Sequence, residues 1–221
     1  MAKAVIHVSQ QNFYDFSLML IASKIEEVLS QKIDLKIVLA GGRTPLPLYE
    51  RLAQADFPWD KFEFFLSDER FVPLDSNDSN FKVINEVFFS KLNPSPRSVH
   101  FFRTDLEPTE ALNSYVELLR KHAPEGFDIA ILGMGEDGHV ASIFELDDSV
   151  WQEDVVFVAP SGTPKVPRIS LTLKTLNRTD HVIFLITGQE KKKKLHEMFS
   201  GKILPAAFVE GRRETVWLVS D

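Results

Sequence analysis

Short apolar segments of strand length alternate with amphipathic segments of helix length along this 221-residue chain. Between residues 13 and 29 the apolar side chains recur at helical spacing, whereas 129–132 is a continuous apolar run of strand length and 35–40 has the pattern of a buried strand. Strands that alternate with helices form βαβ units, in which parallel strands make a sheet and helices cover its faces. The sequence therefore predicts an α/β fold with a mainly parallel sheet flanked by helices.

The other segments predict further elements of the same two kinds. The further predicted strands span 4–8, 62–66, 99–102, 155–159, 169–173, 181–187 and 216–219, and the further helices span 45–53, 80 to 89 or 91, 109–122 and 189–199. Thr44 is expected to cap the helix that starts with Pro45, and Ser79 the next one. No internal repeat or linker-length segment divides the chain, so we expect one domain over 1–221, with room for a small satellite sheet.

Composition and charge exclude several classes of site and partner. The chain has no cysteine, which excludes disulfides, thiol nucleophiles and thiolate metal sites and fits a cytoplasmic protein. No apolar run reaches about 18 residues, and the start of the chain lacks a signal-peptide pattern, so we expect no membrane association. The net charge of −7 argues against a nucleic-acid partner. A small anionic ligand remains compatible, because local cations can focus a positive potential within an acidic protein.

The loop Gly41-Gly42-Arg43-Thr44 follows a predicted strand and has the composition of an anion-binding turn. Two glycines allow backbone N–H groups to approach an anion, and the cation and the hydroxyl supplement them. A tight turn with a capping threonine is the simpler interpretation. The loop matches neither a P-loop nor the GxGxxG pattern, so a nucleotide is not favoured.

Two more strand ends carry charged residues that packing does not require. Asp68, Glu69 and Arg70 follow one apolar strand, and the pattern favours a functional role more for Asp68 and Arg70 than for Glu69. Asp137 and His139 follow another, after a glycine-rich turn. Histidine can accept a proton at physiological pH, and a nearby carboxylate can orient its ring. The alternatives are a local surface ion pair for the first group and a helix cap with a structural histidine for the second.

Two cations at further element boundaries complete the set of candidates: Arg168, which follows Pro167, and Lys191, which lies at a strand-to-helix turn. The remaining histidines lack a comparable setting and are interpreted as structural or surface residues: His7, His100, His122, His181 and His196.

Five segments, in this order and at this spacing, resemble the 6-phosphogluconolactonase family of the sugar-phosphate isomerase superfamily: 41–45, 67–73 with 79–80, 132–142, 167–173, and 187–191. The resemblance implies a Rossmann-like fold, a phosphorylated sugar lactone as substrate, and no organic cofactor or required metal. By the same resemblance His139 is the catalytic base, and Arg168 and Lys191 hold the phosphate with the glycine loop. We expect Asp137 to orient the imidazole and Asp68 and Arg70 to line the site. Either Arg70 or N–H groups of the 133–138 turn would stabilise the developing oxyanion.

This sequence departs from the family at Ala40 and Arg43, where serines are common, and at 145–146, where a proline and a glycine often follow.

Two other functions are alternatives to lactone hydrolysis. Glucosamine-6-phosphate deaminases share several elements, but they carry an acid where this chain has Phe144, and Glu145 lies one residue away. A catalytically silent sugar-phosphate sensor would normally be joined to a DNA-binding region, and no helix-turn-helix fits before residue 35. We expect a monomer.

Overall fold

The computed structural model describes residues 2–221. Its strands are β1 (Ala2–Val8), β2 (Leu35–Leu39), β3 (Phe62–Leu66), β4 (Asp68–Arg70), β5 (Ser98–His100), β6 (Phe127–Gly133), β7 (Val155–Ser161), β8 (Val166–Leu171), β9 (Thr179–Ile186) and β10 (Glu214–Ser220). Its α-helices are α1 (Phe13–Leu29), α2 (Leu46–Leu52), α3 (Asn80–Val87), α4 (Pro108–His122), α5 (Ser149–Gln152), α6 (Leu173–Leu176) and α7 (Gln189–Phe199).

Seven strands form one parallel sheet in the order β1-β10-β9-β6-β2-β3-β5. Strands β3 and β6 lie inside this sheet and their side chains are almost entirely buried, which explains why their sequences are mostly apolar, with Glu63 and Asp128 as the charged exceptions. Ligands bind in the crevice at the carboxyl ends of such strands. Since β2, β6 and β9 are neighbours, the loops that follow them meet at one edge. The mainly parallel sheet flanked by helices is confirmed.

A second sheet has the order β4-β8-β7 and is antiparallel, which confirms the satellite sheet. Only Ser67 separates β3 from β4, so the chain passes directly from the large sheet into the small one. In the β4–β8 register Asp68 lies opposite Ser170, and Arg70 lies opposite Arg168. Strand β4 was not predicted, because three consecutive charged residues resemble a solvated loop.

Aromatic packing fixes the strand from which β4 continues. Trp59 and Phe62 have ring centroids 4.8 Å apart, and Phe64 and Phe88 meet edge to face at 5.3 Å. Such pairs contribute about 0.5–1.5 kcal/mol each beyond the area they bury. They attach β3 to the turn before it and to the end of α3, so β4, which follows β3, continues from a well-packed strand.

One predicted helix cap is confirmed and the other is wrong. Ser79 caps α3 by accepting a hydrogen bond from the backbone N–H of Lys82. Thr44 does not cap α2, which begins after Pro45 and has no side-chain cap. Its hydroxyl lies instead 3.1 Å from the hydroxyl of Thr187 at the end of β9. The side chain therefore bridges two strand ends and is unavailable to the N–H groups of α2.

Several element boundaries differ from those predicted. The strand predicted over 169–173 ends at Leu171, because Thr172 accepts a hydrogen bond from the N–H of Thr175 and starts α6. The helix predicted to reach 89 or 91 ends at 87 and is followed by one 3-10 turn over 89–91. Helices α5 and α6 were not predicted, because one turn is too short to show a periodic pattern. Within residues 2–221, no helix has the length and apolar character required to cross a membrane.

Candidate active site

A cleft of about 560 Å³, open to solvent, lies at the carboxyl ends of β2, β3 and β6. The structure brings nine of the predicted site residues to its wall: Gly41, Gly42, Arg43, Thr44, Asp68, Arg70, His139, Arg168 and Lys191. The tenth, Asp137, does not line the cleft but contacts His139.

Asp137 and His139 form a close pair. Nδ1 of His139 lies 2.6 Å from Oδ1 of Asp137, and the same oxygen accepts the backbone N–H of His139 at 3.1 Å. The hydrogen bond from the imidazole lowers the pKa of Asp137 to about 2, so its carboxylate is ionised and can only accept. The proton of a neutral His139 therefore resides on Nδ1. The other nitrogen, Nε2, is left with a free lone pair.

The glycines of the preceding turn make this pair possible. A Cβ atom on Gly135 would lie 2.2 Å from Nδ1 of His139 and 2.5 Å from Oδ1 of Asp137. Gly138 adopts a φ of 92°, a conformation that side chains other than glycine rarely adopt. The N–H of Gly135 donates to the carbonyl of His139 (2.9 Å), and that of Gly138 donates to the carbonyl of Gly135 (3.0 Å). Both N–H groups are therefore engaged within the turn.

Phe144 lies against the imidazole ring of His139. Its ring centroid is 4.3 Å from that of His139, and the guanidinium carbon of Arg168 lies 5.7 Å from the same ring. Arg168 also donates to the backbone carbonyls of Ser161 (2.9 Å) and Pro164 (3.2 Å). Phe144 thus contacts both a candidate base and a candidate anion ligand. Sequence reasoning used this residue only to separate two families and did not identify the contact.

Asp68 is buried and its carboxylate is fully engaged. Oδ1 accepts the hydroxyl of Ser67 at 2.7 Å, and Oδ2 accepts the hydroxyl of Ser142 at 2.6 Å. Ala141, just before Ser142, has a φ of 50°, which is unusual for a residue with a side chain. The carboxylate is also close enough to Arg168 to raise the pKa of that guanidinium, although burial has the larger, opposite effect and lowers it. These contacts give Asp68 a positioning environment within the wall of the cleft.

Arg70 is oriented by Asn80, a residue that the sequence did not identify as part of the site. Nη1 of Arg70 donates to Oδ1 of Asn80 at 2.7 Å and to the carbonyl of Asp78 at 3.1 Å. The same Asn80 amide donates to the carbonyl of Asp68 at 3.0 Å. A Cβ atom on Gly41 would lie 2.1 Å from Oδ1 of Asn80, so this glycine permits close packing. The sequence carried two signals for Asn80: its position directly after a predicted cap and its place in the segment 79–80 of the family resemblance.

Glu69 faces away from the cleft and is completely buried. It accepts the N–H groups of Arg70 (2.8 Å), Asn80 (2.7 Å) and Phe81 (2.7 Å) and the hydroxyl of Ser79 (3.1 Å). Burial outweighs these hydrogen bonds and raises the pKa of Glu69 to about 7. This residue joins β4 to the start of α3, a structural role that agrees with the sequence, which favoured Asp68 and Arg70 over Glu69 as functional residues.

The four cations of the cleft form two pairs, Lys191 with Arg43 and Arg70 with Arg168. Lys191, in the first turn of α7, has its Nζ 3.4 Å from Oγ1 of Thr44. Burial lowers the pKa of Lys191, which Glu136 partly opposes, and the nearby Arg43 lowers it further. The other pair is Arg70 and Arg168, which lie opposite each other in the small sheet. Four cations around one cleft give it a positive local charge in a chain whose net charge is −7.

Comparison with known proteins places the chain among sugar-phosphate enzymes. The family model described as "Glucosamine-6-phosphate isomerases/6-phosphogluconolactonase" matches residues 9–217. A 6-phosphogluconolactonase of Thermotoga maritima is 49% identical over 219 residues, which is 99% of each chain. A crystal structure of a 6-phosphogluconolactonase from the same species superimposes with a TM-score of 0.95 at 46% identity, covering 99% of this chain and 100% of that one.

More distant relatives share the fold over nearly the whole chain. The 6-phosphogluconolactonase structure from Trypanosoma brucei has a TM-score of 0.81 at 29% identity and covers 99% of this chain and 96% of that one. The 6-phosphogluconolactonase of Synechocystis is 29% identical over 97% of this chain and 93% of its own length. On this sequence similarity, and on the site geometry that accompanies it, the chain belongs to the glucosamine-6-phosphate isomerase/6-phosphogluconolactonase family.

Proposed function

We propose that this protein hydrolyses 6-phospho-D-glucono-1,5-lactone to 6-phospho-D-gluconate, the second step of the oxidative pentose phosphate pathway. The observation that carries the proposal is the Asp137–His139 pair, whose Nδ1–Oδ1 distance is 2.6 Å, at a cleft lined by four cations. A lactone is an ester, so its hydrolysis needs an activated water and stabilisation of the oxyanion. The phosphate of the substrate matches the positive charge of the cleft.

His139 is the general base of the proposed reaction. Its Nε2 takes a proton from a water whose oxygen attacks C1 of the lactone, and Asp137 stabilises the imidazolium through the Nδ1–H hydrogen bond. The tetrahedral intermediate then collapses and the bond between C1 and the ring oxygen breaks. The proton on Nε2 passes to that oxygen, which becomes a hydroxyl group. His139 is thereby returned to its neutral form, and one water has been added.

Arg70 stabilises the developing negative charge on the carbonyl oxygen. The alternative donor is the backbone of the 133–138 turn. The N–H groups of Gly135 and Gly138 in that turn already donate to backbone carbonyls. Arg70 lines the cleft and is held in place by Asn80, which makes it a pre-oriented charge. Asp68, which faces the same cleft, positions neighbouring groups through Ser142 and its backbone carbonyl.

The phosphate is held by Lys191 and Arg168 together with the loop from Gly41 to Thr44. Arg43 adds a cation to this loop, where relatives of the family often have a serine. Charge-assisted hydrogen bonds to phosphate are roughly twice as strong as neutral ones, and both cations are partly buried, so water competes less with them. These contacts act on binding and leave the chemical step to His139.

Glucosamine-6-phosphate deamination is disfavoured by what surrounds the histidine. The ring of Phe144 covers His139 at 4.3 Å, where a deaminase carries an acid. The next acid along the chain, Glu145, lines a neighbouring cavity rather than the candidate active site. We expect no ammonia release from glucosamine 6-phosphate.

Two assays test the proposed function. The first follows phosphogluconate formation from freshly prepared lactone, corrected for spontaneous hydrolysis, beside ammonia release from glucosamine 6-phosphate. In the second, His139→Ala should lower kcat by about 10²–10⁴-fold, the usual contribution of a general base, with KM little changed. A wild-type kcat in this variant would refute the assignment of the base.

The same proposal includes the setting of the enzyme. We infer that residues 1–221 act as one domain, since buried residues from Phe13 to Val219 belong to one hydrophobic cluster. We further propose a cytoplasmic monomer that binds neither membranes nor nucleic acid, in line with its net charge of −7 and its lack of cysteine. Size-exclusion chromatography with light scattering tests the oligomeric state.

A further inference from the structure

Outside the cleft, Glu63, His100 and His122 bring three side chains that can bind a metal to the space between β3, β5 and α4. Nε2 of His100 and Nδ1 of His122 each lie 3.1 Å from Oε2 of Glu63, and the three atoms all lie within 4.8 Å of one another. Across residues 2–221, no other group of three such side chains converges in this way. We propose that these three atoms bind a Zn²⁺ ion, with water as the fourth ligand.

The separations between the three atoms suit a tetrahedral ion. Zn²⁺ with bonds of about 2.0–2.1 Å places its ligand atoms about 3.3 Å apart. Both distances to Glu63 Oε2 already have nearly this value. The remaining one, between the two imidazole nitrogens, can close by rotation of His122, whose side chain is 29% exposed. The side chains of Glu63 and His100 are 9% and 8% exposed, so their positions are held by packing.

The arrangement also differs from what hydrogen bonding alone requires. A carboxylate offers two oxygens, yet both imidazoles converge on Oε2. Each neutral imidazole can move its proton to its other nitrogen, which frees the facing nitrogen to bind a cation without net release of a proton. One carboxylate and two imidazoles then match the N and O donors that Zn²⁺ accepts. The partial exposure of His122 leaves an entry path from solvent.

The ion would attach the edge of the large sheet to a helix. Strand β5 is three residues long, lies at the end of the strand order and pairs with β3. His100 and His122 are 37 and 59 residues from Glu63 along the chain, so the site forms only when the chain folds. Binding free energy at such a site adds to the stability of the folded state. None of the three residues lines the catalytic cleft, so the proposed role is structural.

Calorimetric titration with Zn²⁺, after removal of bound metal with a chelator, tests the proposal on the full chain. We expect one high-affinity Zn²⁺ per chain, and a Tm increase of about 5–10 °C when the ion is present at 100 times its Kd. Co²⁺ bound at the same place should show the visible absorption of a tetrahedral ion with nitrogen and oxygen ligands. Wild-type protein without a metal-dependent Tm shift would overturn the proposal and leave a hydrogen-bonded cluster.

Substitutions assign the ion to these residues. His122→Gln, at the most exposed ligand, should weaken Zn²⁺ binding by at least about 100-fold, since loss of an outer partner alone costs about 10–100-fold. His7→Gln is the matched control, because His7 forms an exposed histidine–carboxylate pair with Asp221 at 2.9 Å and has no third ligand. His139→Ala should also retain the site. Equal affinity in wild type and His122→Gln, or loss of binding in either control, would overturn the assignment.

Discussion

Adding one methyl group at Gly135 tests whether the position of His139 determines the rate. In Gly135→Ala the new Cβ would lie 2.2 Å from Nδ1 of His139 and 2.5 Å from Oδ1 of Asp137. To reach an ordinary contact of 3.4 Å, Nδ1 must move by about 1.2 Å and Oδ1 by about 0.9 Å. A misplacement of about 1 Å can cost roughly 100-fold in rate. We therefore expect kcat to fall by about two orders of magnitude, with KM changed much less.

Gly133→Ala is the matched control in the same turn. Its Cβ would have no atom within 4 Å, although this residue also lines the cleft. We expect kcat close to that of wild type, and similar Tm values for the two variants, because the atoms that Gly135→Ala displaces are side-chain atoms. Steady-state lactone hydrolysis and thermal unfolding measure both effects. Near-wild-type kcat in Gly135→Ala, or equal losses in the two variants, would refute the reasoning.

Four further substitutions test neighbouring parts of the site. Phe144→Leu should lower kcat by up to about tenfold, since loss of an aromatic contact of about 0.5–1.5 kcal/mol frees the histidine ring; unchanged kcat would show that the ring contact has no catalytic effect. Lys191→Ala should raise KM by about 10- to 100-fold, in proportion to a charged hydrogen bond of about 1.5–3 kcal/mol, and a wild-type KM would remove it from the phosphate site. Asn80→Ala should lower kcat by about tenfold or more by releasing Arg70, and an effect confined to Tm would contradict that role. Burial raises the pKa of Glu69 from 4.5 to about 7, so the stability that protonated Glu69 contributes is full below about pH 4.5 and is lost as pH rises to about 7. The free energies of unfolding of wild type and Glu69→Gln, measured in urea, should therefore diverge across that range. Parallel pH dependences of the two proteins would contradict the raised pKa.

The large sheet could be predicted because its signals are local in the sequence. Helix α1 has the predicted bounds of 13 and 29, since its apolar residues recur over almost five turns and need no partner to be recognised. The strands β2, β3 and β6 are buried on both faces and so are largely apolar, each with a single charged residue: Lys36, Glu63 and Asp128. Strand β4 lacked such a signal, because what stabilises its three charged residues is contact with β8 and α3.

The candidate site shows the same division between local and distant causes. The pair Asp137–His139 is separated by one glycine, so its proximity follows from the sequence. Asn80 reaches Arg70 and Gly41, and Phe144 reaches Arg168, only after separate chain segments have packed together, whereas Phe144 meets His139 through the turn that follows the histidine. Residue type alone gave no indication of either role. Thr44 shows the converse error. Its position before a proline indicated a cap, but the end of β9 offered its hydroxyl another partner.

The direct passage from β3 through Ser67 into β4 divides the cleft between two sheets. His139 and Lys191 are placed by the large sheet and its loops, whereas Arg70 and Arg168 are placed by opposite positions of the small one. One wall of the cleft is therefore built by elements other than the strand and the glycine turn that carry the base. Substitutions in the small sheet that leave Asp68 and Arg70 in place are accordingly a route by which a chain of this architecture could change the size or stereochemistry of the lactone it accepts and keep its chemistry.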